Sequence, residues 1–499
     1  MGSVQDTAVS FDYDIVVVGA GIAGINCAYR LQTRLPNAKF AVLEARDTVG
    51  GTWDIFKYPG IRSDSDLYTY GFAWHPWPHN TPIAQGHLIM SYLRECIALH
   101  NLDQYISLRH RVVGSDWDSE QKRWTLNVDN DGTKKVYRAK WIVLASGYYD
   151  YDEPLKAEIP GLDRFQGKVI HPQFWPTEYD VKDKRVVVIG SGATSITLIP
   201  SLVKLGVKRA TMLQRSPTWI ASPINIAPFD WARRLLPRRV LEWLEWLWFA
   251  FVPFLTVLLC QYFPLFMRDK LMQSIKRQLK GSNVNPDPHF TPRYNPWEQR
   301  VCLAPDGDFF KALHGENGQP ARAEVVTAKI KTITENGIEC EDGQKLQADA
   351  IVTATGLKMC WGGKIPLRVD GELIRPGEHI IWNGCMVNDV PNLMFTVGYA
   401  WASWTLGVDN TAITLCRLFD QMQKMGKEAA VPRLPQGYRV EEAEKVSWLN
   451  LAATYIKKAG GSTPWNDANG KGPWKGRGNI WVDWLHARVG NLTKALDLS

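Results

Sequence analysis

Asp14-Ile15-Val16-Val17-Val18-Gly19-Ala20-Gly21-Ile22-Ala23-Gly24 opens with an apolar β-branched run and closes on glycines at GxGxxG spacing. That run predicts a buried strand stopping at a tight turn. Gly19 permits the turn, Gly21 lets backbone N–H groups approach a pyrophosphate, and Gly24 lets a helix pack closely on the strand. A helical pattern follows from Ile22 to about Thr33, and Phe40-Ala-Val-Leu-Glu44 reads as a second strand. Glu44 stands 20 positions beyond Gly24, where a carboxylate reaches the ribose hydroxyls of an adenosine. A helix N-terminus aimed at phosphates adds partial positive charge.

The same pattern recurs 171 positions later: Lys184–Ile189, then Gly190-Ser-Gly192-Ala193-Thr194-Ser195, a helix to about Leu205, and Ala210–Gln214. Ser195 takes the place of the third glycine. The second strand ends in Gln214-Arg215-Ser216, with no acid in the ribose position. A carboxylate there would repel a 2′-phosphate, whereas guanidinium and hydroxyl groups bind one, so this unit suits NADP(H) over NAD(H). Ile142–Gly147 and Ile351–Gly356 each read as a buried strand ending at a glycine turn, and they resemble the strands with which two-dinucleotide flavoproteins pass the chain between an FAD and an NADP domain. The fold class expected is therefore α/β, with two Rossmann-like dinucleotide-binding domains. The boundaries expected are 1–151 for the first part of an FAD domain and 152–360 for an NADP domain. A mostly helical insertion falls at about 222–320, and 361–499 holds the second FAD part and the C-terminal tail. Gly460 through Gly478 reads as irregular.

The 499 residues suffice for two or three domains, and a 45% hydrophobic, 22% charged composition is that of a globular protein. Net charge is +7 without a basic block, which argues against nucleic acid. Eight scattered cysteines show no CxxC and no metal spacing, which suits a reduced cytoplasmic protein. His75 and His79 have ligand-like spacing, but Pro76 and Pro78 forbid the helix that would converge them, so no metal is expected. No basic n-region or apolar h-region opens the chain. Trp246 to Met267 contains no charged residue, yet Pro253 and Pro264 interrupt it. A crossing there would separate sequence needed for the same cofactors. Buried helices of a subdomain are the expectation, and a peripheral, in-plane membrane contact through 246–267 is the alternative.

Between the glycine loops lies Phe165-Gln-Gly167-Lys-Val-Ile-His171-Pro-Gln-Phe-Trp175-Pro176, of the form FxGxxxHxxxWP. A second pattern is Gly50-Gly51-Thr52-Trp53-x4-Tyr58-Pro59-Gly60-x3-Asp64. Together they resemble the fingerprints of the type I Baeyer–Villiger monooxygenases. YPGIRSDSD, HPQFWP, MLQRSPT and YNPWEQR look like that family's EthA-like branch. The resemblance covers most of the chain and weakens in the tail. It implies FAD and NADPH as cofactors, O2 and a ketone or sulfide as small-molecule substrates, and ester or lactone formation through a C4a-peroxyflavin. Gly51, Thr52 and Trp53 would pass beside the flavin. Arg62 and Asp64 would lie over its reactive face, with Asp64 holding Arg62 or Arg300. Arg300 would stabilise anionic oxygen from the other domain. The family often shows Lys-Arg where this chain has Gln299-Arg300. Ala45, Arg46, Tyr70, Val113 and Gly356 join the cofactor set, and Trp401 and Trp404 are placed near the substrate. His171 is expected to act as a hinge, not in proton transfer.

A flavin-dependent N- or S-monooxygenase has the same architecture, but its linker typically carries Tyr at the place of Trp175 and Lys or Arg at the place of Pro176. A disulfide reductase needs a close cysteine pair, and after Cys27 the next is Cys96. A non-catalytic cofactor-binding interaction protein is the remaining class.

Overall fold

The protein is described by a computed structural model over residues 10–315, 318–449 and 461–499. Two parallel-stranded sheets organise it, each grown around one glycine loop. In the first, Ser10–Val18 lies between Phe40–Leu43 and Thr133–Leu144, all parallel, with Val16 opposite both Ala41 and Ile142. Ile15, Val16 and Val17 are fully buried, as expected of a strand covered on both faces. Thr133–Leu144 is long enough to carry a second set of partners. Its first half pairs antiparallel with Arg123–Asn130, which pairs with Arg111–Asp118. Along Arg123–Asn130 the buried residues Trp124, Leu126 and Val128 alternate with more open ones, the signature of a half-covered strand. Leu393–Phe395 returns late in the chain to lie parallel beside Ile142–Leu144.

The second sheet has the order Ala323–Thr327, Arg209–Gln214, Arg185–Ile189, Ala350–Thr353, Lys168–Ile170, and every pairing is parallel. The FxGxxxH segment is thus more than a connection, because its Lys168–Ile170 forms the edge strand. A Cβ on Gly167 would stand 2.6 Å from the Asp349 carbonyl oxygen, so only glycine fits that approach. Phe165 and Trp175 are buried on either side of it.

The insertion leaves this sheet through a narrow neck in which Ile220–Ala221 pairs with Cys302–Leu303. Beyond the neck stand the helices Arg238–Tyr262 and Pro264–Leu279. The expectation that these helices are buried is overturned for the first. Leu241, Ala250, Val257 and Cys260 are buried, but Trp243 is 60% exposed and Phe251 53%. The reason is that, among the described residues, the helix has protein on one side only.

The C-terminal region is also more ordered than its Gly, Pro and Asn content implies, although Gly460 lies outside the described residues. Trp465–Asp467 pairs antiparallel with Lys445–Ser447. The Arg477 guanidinium donates to the Val397 carbonyl, to the Gly407 carbonyl at 2.7 Å and to Thr411 Oγ1 at 2.7 Å. One charged side chain therefore fastens the tail to the helix Trp404–Lys424.

Candidate active site

The two glycine loops face each other across one cleft of about 690 Å³. Each is built the same way. The strand leading into Gly19 runs beside Thr133–Leu144, whose continuation brings the Ala145 carbonyl to 2.6 Å from where a Cβ on Gly19 would stand. Gly190 meets the Ala354 carbonyl in the same manner, and the two glycines have φ of +107° and +134°. Side chains are excluded at both turns by backbone conformation and by space. Gly21 and Gly51 approach each other closely, and a Cβ on Gly192 would meet nothing within 4 Å. Backbone N–H groups at both helix starts are therefore open to the cleft, as phosphate groups require. Both oxygens of the buried Glu44 carboxylate accept backbone N–H groups, from Ala20 at 2.7 Å and Arg46 at 3.0 Å. This fixes its orientation and leaves lone pairs for ribose hydroxyls.

Ile22, Ala23, Ala45, Arg46, Thr52 and Trp53 line the cleft on the first side, with Tyr70 beneath. Ala193, Thr194, Arg215, Ser216 and Gly356 line it on the second. Arg62, Asp64, Arg300 and Trp404 lie on the same walls. Burial pushes the Asp64 carboxyl up, and the charges of Arg300 and Arg62 pull it back down. Two arginines far apart in sequence thus act on one acid. The ion-pair partner of Arg62, however, is Asp308 and not Asp64, and its guanidinium also donates to the Leu303 carbonyl at 3.1 Å. Asp308 opens the short helix Asp308–Ala312, just after the returning strand of the neck.

Tyrosine hydroxyls ring the site, and no sequence motif singles out Tyr148, Tyr149 or Tyr151 individually. Tyr148 stacks on Trp404 with ring centroids 4.3 Å apart. The Tyr151 hydroxyl is 2.7 Å from Thr52 Oγ1, and Trp53 Nε1 donates to the Tyr70 hydroxyl at 2.8 Å. Burial pushes the phenols of Tyr58, Tyr70 and Tyr148 up, and that of Tyr151 to about 12. All four are neutral O–H groups at ordinary pH, available as donors.

Several expected residues fall elsewhere. Val113 is 49% exposed on the outer face of its strand, and its neighbour Val112 lines the cleft instead, a one-residue change that inverts the side chain. Gly24 and Ser195 are outside the cleft wall and instead sit where helix meets strand, the packing role the third position of each loop is expected to have, and Ser195 is completely buried. Trp401 points away from the cleft and contacts Phe254, with ring centroids 5.6 Å apart. His171 also lies outside the cleft. It caps the turn Pro172–Phe174 by accepting from the Gln173 N–H at 3.3 Å, and burial lowers its pKa, so the ring is neutral.

The geometry defines a two-dinucleotide oxidoreductase scaffold in which both nucleotides end in one cleft. A family model for pyridine nucleotide-disulphide oxidoreductases matches residues 13–227. The FAD-containing monooxygenase EthA of Mycolicibacterium smegmatis is 40% identical over 94% of each chain. The probable FAD-binding monooxygenase AlmA of Acinetobacter baylyi is 41% identical over 94% of this chain and 92% of its own. Among solved structures, OTEMO in complex with FAD and NADP superposes with a TM-score of 0.73 at 20% identity, covering 98% of this chain and 99% of that one. Cyclohexanone monooxygenase bound to epsilon-caprolactone gives 0.71 at 18% identity, covering 98% and 100%. The chain belongs to the FAD-containing flavin monooxygenases of the EthA type, on a Baeyer–Villiger monooxygenase fold with FAD and NADP as cofactors.

Proposed function

We propose that this protein is an NADPH-dependent Baeyer–Villiger monooxygenase that converts ketones to esters or lactones and also oxygenates sulfides. The observation that carries the reading is the convergence of Asp64, Arg62 and Arg300 on the cleft shared by the two glycine loops. In this reading the first sheet, with residues 1–151 and 361–499, holds FAD through Gly19, Gly21 and Glu44. The second, within 152–360, holds NADP(H) through Gly190, Gly192, Arg215 and Ser216. The bound flavin supplies hydride acceptance and oxygen activation. The chain's part is to bind, orient and exclude water. Arg300 would offer a preorganised positive charge to negative charge developing on oxygen at the substrate carbonyl, the arrangement that contributes most in a dry site. Asp64 sets the field around Arg300, and Asp308 holds Arg62. The cleft tyrosines and Trp404 shape an apolar wall with donors at its edge. His171 keeps a hinge role. The setting is cytoplasmic.

The test supplies purified holoenzyme with NADPH, isotopically labelled O2 and a panel of ketones, sulfides and amines. An ester carrying one labelled oxygen per NADPH consumed is expected, with slower sulfoxide formation. Arg300→Ala should retain FAD and lose about a hundredfold or more in kcat, the scale of losing one oxyanion-stabilising group. Hydrogen peroxide as the only product across the panel would overturn the reading. Preferential oxygenation of amines would turn it to an N-monooxygenase, and absence of NADPH oxidation to a cofactor-binding interaction protein.

A further inference from the structure

The helix Arg238–Tyr262 and the turn into Pro264–Leu279 expose a surface that neither cofactor chemistry nor packing uses. Along the helix, Val240, Trp243, Phe251 and Leu255 recur at helical spacing and are all exposed, and the turn adds Leu265 at 71% and Phe266 at 54%. Single exposed apolar residues are ordinary; a run this long and aromatic marks an interaction face. Other residues of the same helix anchor it in the fold. Trp246 packs on Trp481, Phe249 on Tyr68 and Phe254 on Trp401, and the buried Glu245 carboxylate pairs with Arg233 at 2.9 Å. A helix held along its length by the protein cannot cross a bilayer; it can only lie in the plane of one.

The charge around this face selects the kind of surface. From Asp230 to Lys280 there are nine Lys and Arg against four Asp and Glu, most of the chain's net +7. Arg238 is engaged by Glu242 at 2.6 Å, whereas Arg234 and Arg239 are exposed beside the start of the apolar stripe. Lys270 Nζ stands over the Phe266 ring, 5.3 Å from its centroid. Aromatic side chains bordered by cations match the interfacial zone of an anionic membrane, where rings sit at headgroup depth and each nearby Lys or Arg adds attraction.

We propose that this face docks the protein, in plane and without crossing, on a bilayer rich in anionic lipids. Because Trp401 belongs to the segment that includes the cleft-lining Tyr399, Ala402 and Trp404, docking would set the membrane against the back of the active-site wall. The proposal does not depend on which substrate is oxygenated.

Co-sedimentation of the holoenzyme with phosphatidylglycerol-containing vesicles, against pure phosphatidylcholine vesicles, tests it. Wild type should partition to the anionic vesicles and release partly as salt rises from ~0.1 to ~0.5 M. The triple variant Trp243→Ser/Phe251→Ser/Leu255→Ser should partition at least about tenfold more weakly, with FAD content and thermal stability retained. Arg234→Glu/Arg239→Glu should weaken binding to the anionic vesicles and leave any residual binding to neutral ones. Equal partitioning of wild type and triple variant would overturn the proposal. So would failure of wild type to bind any vesicle, and a change of oligomeric state in the triple variant would then assign the face to a second copy of the chain.

Discussion

Arg62 and Asp64 lie two residues apart, yet their side chains are held by different parts of the molecule. Asp64 is half-buried in the cleft wall and desolvation pushes its carboxyl up, with Arg300 and Arg62 opposing that push. Arg62 is itself paired with Asp308. Replacing Asp308 with Asn removes a negative charge and leaves Arg62's field on Asp64 less shielded, so the Asp64 carboxyl moves down. If ionised Asp64 is the working form, activity rises with pH through its pKa, and Asp308→Asn should shift that acid limb to lower pH. It should also loosen Arg62 and raise the hydrogen peroxide formed per NADPH. A pH profile of kcat/KM with peroxide quantification checks both; a merely structural loss would lower activity without moving the limb. Asp308 is not legible in the sequence, because a lone acid after Gly307 has no spacing relation to Arg62. Arg300 is legible only through the likeness of the surrounding YNPWEQR to a family pattern. Trp401 shows the opposite hazard, since a sequence neighbour of Trp404 need not share its direction.

Elements are legible where periodicity is strong. The two strand–loop–helix units read directly from runs of Ile and Val ending in glycine, Ile15–Val18 before Gly19 and Val186–Ile189 before Gly190, and both units are present. The antiparallel strand Arg123–Asn130 carries an equally clear alternation. The edge strand Lys168–Ile170 does not: three residues carry no period, and only pairing with Ala350–Val352 makes them a strand. Asp349, whose carbonyl accepts the Lys168 N–H of that edge at 3.2 Å, is itself stapled by Arg185, whose backbone N–H and guanidinium hold its carboxylate at 2.6–3.0 Å. The pairing holds Asp349 down at about 2. A depressed carboxylate contributes stability that is present above its unfolded value near 4 and is lost as pH falls towards 2. With both side chains about one-third exposed, solvent screening reduces the contribution to about 1 kcal/mol. Asp349→Asn should therefore lower the melting temperature at pH 7, and the gap to wild type should narrow steadily below pH 4. A constant gap down to pH 2.5 would show that the carboxylate charge is not what stabilises the edge.

At the scale of the whole molecule, the cleft exists because two sheets meet, and Tyr58-Pro59-Gly60 is one point where they touch. Gly60 has φ of +75°, and a Cβ there would fall inside the Ser201 side chain on the helix Ala193–Lys204 of the other sheet's layer. Tyr58 packs beside the same helix, close enough that the Thr194 side chain pulls its phenol back down against burial. As sequence this tripeptide is a turn within the Gly50–Asp64 fingerprint; in the fold it is a seam between the two nucleotide units. Gly60→Ala should therefore act in two separable ways. The left-handed backbone costs about 1–2 kcal/mol for a residue with a Cβ, and the collision with Ser201 pushes the sheets apart. Adding Ser201→Gly relieves the collision and leaves the backbone strain, although a glycine inside that helix costs up to about 1 kcal/mol of its own. The expected result is that Gly60→Ala slows reduction of bound FAD by NADPH more than it lowers stability. In the double variant the reduction rate should recover while the melting temperature stays low or falls further. Recovery of neither would mean that the seam transmits nothing to the cleft. A Gly60→Ala enzyme with wild-type reduction kinetics would mean that the two sheets find their spacing elsewhere, through Arg62 and Asp308 first of all.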